Sequence, residues 1–121
     1  MTAHAPAPQP QHAPAVTGRL VWFVVATGPL VWMGHLAGSA ALVPLQCRLG
    51  TTWMVNALTA LCAAVIAASV VAGHLLRRRA LAAGNRAVAF VALVGQAWGA
   101  ISIAVTIVEG LPNAVLSSCP R

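Results

Sequence analysis

Residues 52–76 read TWMVNALTALCAAVIAASVVAGHLL, an unbroken run without Asp, Glu, Lys or Arg. At a rise of ~1.5 Å per residue, a helix of this length exceeds the ~30 Å hydrocarbon core of a bilayer. Two more runs share the character, about 20–43 and about 87–108. A sheet is excluded by the same solvent, because an open edge in lipid leaves backbone donors unpaired. The expected fold is therefore an all-α membrane protein with three transmembrane helices at about 20–43, 52–76 and 87–108. They form one unit, residues 19–121, preceded by a tail.

Composition points the same way. Of 121 residues, 60% are hydrophobic and 7% charged, against roughly 25% charged in a soluble domain. The net charge of +6 comes from arginine alone, opposed by one glutamate. A nucleic-acid surface needs a water-facing stripe of cations with interleaved aromatics. Here the arginines sit in clusters between apolar runs, so they read as topology signals and no nucleic-acid partner is expected. The first eighteen residues, MTAHAPAPQPQHAPAVTG, are rich in proline and lack apolar periodicity, which favours an extended, disordered tail. His4 and His12 within it are incidental.

The connectors PLQCRLGT and RRRALAAGNR are long enough for antiparallel hairpins. Arg77, Arg78, Arg79 and Arg86 crowd the second, and Arg19 opens the first helix, whereas Arg48 and Arg121 fall on the other side. The positive-inside rule then places the N-terminus in the cytoplasm and the C-terminus outside, in a bacterial inner membrane. Trp22 and Trp53 suit the two interfacial belts. That topology brings Cys47 and Cys119 to the oxidising side, so a Cys47–Cys119 disulfide is expected. Cys62 lies mid-helix as a small apolar filler. Pro112 in GLPN is expected to end the third helix and turn the tail toward Cys47.

Glu109, the one acidic residue, falls at the outer end of the third helix. A carboxylate there opposes the macrodipole and calls for a cation, with Arg48 the nearest candidate for an interfacial ion pair. His35 is the notable intramembrane group, since ionisable residues in lipid are costly and face protein or a water cavity. Counting depth along the helices places Thr59 and Ser102 at its level, as a hydrogen-bonded polar layer. A haem held by His35 and His74 is excluded, because the two imidazoles lie ~20 Å apart in depth. No catalytic residue and no metal site are read in the chain.

Gly34–Gly38 and Gly95–Gly99 form GxxxG motifs, which let helix backbones approach closely in lipid. Pro29 interrupts the first helix and is expected to kink it.

Three stretches, GPLVWMGHLAGSAALVPLQC (28–47), GHLLRRR (73–79) and EGLPNAVLSSC (109–119), together resemble small bacterial membrane proteins encoded beside haem-copper cytochrome oxidase genes. The resemblance is carried by Gly28, Pro29, Trp32, His35, Cys47, Pro112 and Cys119. It implies a non-catalytic accessory subunit or assembly factor of a respiratory complex. The partners would be larger integral membrane subunits and the lipid bilayer, and any haem would be held by a partner subunit. The alternative is a small proton-coupled, homo-oligomeric transporter in which Glu109 and His35 titrate.

Overall fold

The computed structural model describes residues 15–115, with side chains at 18–112 and 115. It is an up-down-up bundle of α1 (Ala15–Leu49), α2 (Trp53–Ala82) and α3 (Arg86–Val115). All three are long and apolar enough to cross a membrane. The described residues contain no strand, and the expected all-α, three-helix architecture is what the chain adopts.

The helices run further than their apolar cores. α1 begins at Ala15, so the last residues assigned to the tail are helical; residues 1–14 lie outside those described. α1 also continues through Pro29 and Pro44, and α3 continues through Pro112. Proline removes one donor and displaces one carbonyl, but an apolar solvent makes every other backbone hydrogen bond hard to forfeit. Pro112 therefore does not turn the chain out of α3, and Cys119 lies outside the described residues.

Glycines make the true stops. Gly50 and Gly84 adopt φ of +63° and +72°, the left-handed conformation that ends helices. Beyond each, an amide reaches back five residues: Thr51 N–H to Gln46 O at 3.1 Å, and Asn85 N–H to Ala80 O at 2.8 Å. Asn85 Oδ1 then accepts from Val88 N–H at 3.1 Å, capping α3. At the α1–α2 turn Thr52 makes no side-chain cap. The buried Gln46 side chain takes that role, its Oε1 accepting from Val55 N–H at 3.3 Å.

Small residues set the helix spacing. A Cβ on Gly95 would lie 2.6 Å from Val24 Cγ1 and 3.1 Å from Val24 O, so α1 and α3 touch nearly backbone to backbone. Gly99 seats Val70 of α2, and Gly28 lies against Gly99, Trp98 and Ser102. Val24, Leu76 and Ala92 form a buried core at the arginine-rich end. Gly38 accommodates Leu58, and Gly73 of α2 faces Val24 and Gln96. Three of the four GxxxG glycines therefore pack within the bundle. Gly34 does not: a Cβ there meets nothing within 4 Å.

Large apolar side chains point outward, among them Trp22, Leu30, Met33, Phe90, Ile101 and Val108. Polar ones point inward: Thr27, His35, Gln46, Ser69, Ser102 and Thr106 are all buried. This inside-out partition fits a bundle whose solvent is lipid. The fold is that of a multi-pass membrane protein.

Candidate polar site between the three helices

His35 is 2% exposed and sits where α1 meets both other helices. Its Nε2 lies 2.9 Å from Thr59 Oγ1 on α2, and that hydroxyl donates to Val55 O one turn earlier at 2.9 Å. Its Nδ1 lies 3.7 Å from Glu109 Oε2 on α3. One turn before His35 on the same face, Trp32 Nε1–H donates to the same carboxylate oxygen at 3.2 Å. Trp32, His35, Thr59 and Glu109 thus form one polar cluster that joins all three helices.

The backbone makes the cluster possible. A Cβ on Gly110 would lie 2.6 Å from Thr59 Cγ2 and 3.0 Å from Thr59 Oγ1. The absent side chain lets Thr59 nest against α3 beside Glu109. Thr59 is β-branched and held by its own helix carbonyl, so it cannot easily yield that space.

Two expectations need correction. Glu109 pairs with Trp32 and His35, and no ion pair between Glu109 and Arg48 occurs among the described residues. Arg48 is exposed at the far end of α1, thirteen residues beyond His35, or ~20 Å away along the helix. Because α1 runs to Leu49 and α3 to Val115, Glu109 lies inside the bundle rather than at its rim. The same offset removes Ser102 from the layer. It sits beside Gly28, seven residues before His35, and donates to Trp98 O at 2.9 Å. His35 and Thr59 do meet as expected. His74 is exposed on α2, one turn from Arg77 and Arg78, and takes no part.

The sequence reading missed Trp32 as the donor to Glu109. The signal was available, since Trp32 and His35 are three residues apart and so share a helix face. It also missed Gly110, whose role is visible only once α2 is packed against α3.

Chemically, the cluster pairs the one carboxylate of the chain with a buried imidazole. Among the described residues no group of three or more His, Cys, Asp or Glu could hold a metal ion. Glu109 keeps about a third of its side chain exposed (32%), while His35 is closed off. Further polar atoms lie buried without hydrogen-bond partners, including Ser39 Oγ and Thr106 Oγ1, each within about one turn of the cluster on its helix.

No family model, no curated protein and no solved structure matches this chain.

Proposed function

We propose that this chain is a non-catalytic accessory subunit or assembly factor of a respiratory, haem-copper oxidase-type complex in the bacterial inner membrane. It would pack against larger integral membrane subunits that hold any haem. The resemblance of residues 28–47, 73–79 and 109–119 supports the class of complex. The observation that carries the packing role is the unused glycine. Gly34 lies on an exposed strip of α1 with Ala37 and Ala41, where a Cβ would meet nothing within 4 Å. Glycine costs helix stability relative to alanine, and its usual return in membranes is close approach of a second helix.

The topology belongs to the same proposal. Arg19, Arg77, Arg78, Arg79 and Arg86 lie at one end of the bundle and Arg48 at the other. The rich end would face the cytoplasm. Cys47 and the segment carrying Cys119 would then share the external side, where a Cys47–Cys119 disulfide would form and persist.

Mild-detergent solubilisation of native membranes, followed by affinity capture of the full chain, tests the role. Haem-bearing subunits should co-purify, and replacing Gly34 by Leu should abolish their capture while leaving the bundle intact. Recovery of the chain alone, with oxidase assembly unaffected by its deletion, would overturn the reading.

A second reading, a small proton-coupled homo-oligomeric transporter, is favoured by one observation. Glu109 lies beside His35, 3.7 Å from Nδ1, and not at the rim. pH-driven flux in liposomes holding only this chain, lost in Glu109→Gln, would favour it over the accessory role.

A further inference from the structure

Arg19, Arg77, Arg78, Arg79 and Arg86 gather at one end of the bundle, and none forms an ion pair among the described residues. The one acidic side chain, Glu109, stands in the far half of α3. These five cations are not equivalent in position. Val70 of α2 faces α3, since a Cβ on Gly99 would lie 2.6 Å from its Cγ2, whereas Leu58 faces α1 across Gly38. Steps of three, four and seven residues from Val70 along the same edge of α2 meet Ala63, Ala67, His74 and Arg77. Arg79 falls on the opposite edge, with Leu61, Val65 and Ala72, and Ala72 packs against the core around Val24 of α1. On α3, Gln96 lies against Gly73 of α2. Beside it, the outward edge of that groove runs through Arg86, Leu93, Ala100 and Ala104, again at helical spacing.

The outer groove between α2 and α3 is therefore cationic at one end and floored by alanine beyond it. Arg77 is half-buried on one wall and Arg86 exposed on the other. The Gly73–Gln96 and Val70–Gly99 contacts set the register, so Arg77 and Arg86 differ by ~9 Å in depth. Two arginine side chains can close that gap onto one headgroup. Val70 is sunk against Gly99 and leaves the floor open. From Arg77 to Ala63 the groove descends ~21 Å, past the middle of a ~30 Å hydrocarbon core. The planar donor fork of a guanidinium matches a phosphate, and a trough of methyl groups matches hydrocarbon. A free anion would use only the upper part, and an apolar helix only the lower. An amphiphile with an anionic head uses both.

We infer that the α2–α3 groove is a binding site for one anionic phospholipid. Arg77 and Arg86 hold its phosphate, and one acyl chain lies along Ala63, Ala67, Ala100 and Ala104. His74 stands one turn below Arg77, at the level of the ester groups. The site is independent of both readings of the function, because it requires only the membrane fold and the register of the hairpin.

Native mass spectrometry tests it, on the full chain released from micelles holding equal amounts of phosphatidylglycerol and phosphatidylcholine. One phosphatidylglycerol should be retained in preference to phosphatidylcholine, and millimolar glycerol phosphate should not displace it. Arg77→Gln with Arg86→Gln should lower retention about tenfold, the scale of lost charge-assisted hydrogen bonds. Arg19→Gln with Arg79→Gln removes equal charge from the same end and should leave retention nearly unchanged. Ala100→Phe keeps every cation but fills the trough, so it should weaken retention too. Equal losses in the two double variants would reduce the cluster to diffuse surface attraction and overturn the inference. So would displacement by glycerol phosphate, full retention in Ala100→Phe, or a second copy of the chain bound in place of lipid. Should the arginine variants fail to insert, the wild-type choice between the two lipids and the Ala100→Phe result still decide the outcome.

Discussion

Trp32 is the residue whose part is most easily isolated. Its indole N–H supplies one hydrogen bond to Glu109, at 3.2 Å, so Trp32→Phe removes a donor while keeping an aromatic body. We expect a loss of about 1–3 kcal/mol, because a part-buried carboxyl oxygen is left short of a partner. It should appear as a lower thermal midpoint in detergent, and an unchanged midpoint would show that the bond adds nothing. Gly110 makes a sharper case. In Gly110→Ala the new methyl meets the stiff Thr59 side chain, an overpacking that should cost about 1–3 kcal/mol. It should also break the His35–Thr59 contact, seen as a changed ring-nitrogen spectrum. At this scale the sequence was half legible. Depth counting paired His35 with Thr59 because both are anchored near a short turn. It misplaced Glu109 and Ser102 because their depth was measured from a helix end that Pro112 was assumed to set.

Helix existence was legible throughout, since long uncharged apolar runs have one stable form in lipid. Helix ends were not. Arginine, alanine and even proline continue a helix beyond the hydrocarbon, and the glycines at 50 and 84, not the polar composition, mark where α1 and α2 stop. Packing faces were legible in kind: Gly95 and Gly99 serve the interior, whereas Gly34, identical in motif, faces out. The distinction depends on which side of each helix meets its neighbours, and a GxxxG spacing does not contain that. The two classes should behave oppositely. Gly95→Ala should lower the thermal midpoint, because Val24 O is backbone and cannot move aside. Gly34→Ala should leave it unchanged or raise it slightly, by up to ~1 kcal/mol of helix propensity. Equal losses in both would contradict the assignment of faces.

For the molecule as a whole, the arginine asymmetry sets an expectation about placement. Reporter fusions should put the α2–α3 turn in the cytoplasm and residue 121 outside, and replacing Arg77, Arg78 and Arg79 by Ala should produce a mixed orientation. Non-reducing peptide mapping of protein from native envelopes should recover Cys47 joined to Cys119; free thiols at both would remove the disulfide. One detail of the bundle also bears on how it comes together. The hydroxyls of Thr27, Thr59, Ser69 and Ser102 each bond a carbonyl of their own helix, so these four groups can enter lipid without a neighbour. His35 and Glu109 have no such private partner. A nascent chain halted after α2 would hold His35 against Thr59 alone, its Nδ1 side unopposed until α3 brings Glu109. Completion of the polar cluster is therefore the last step of assembly, and it waits on the third span.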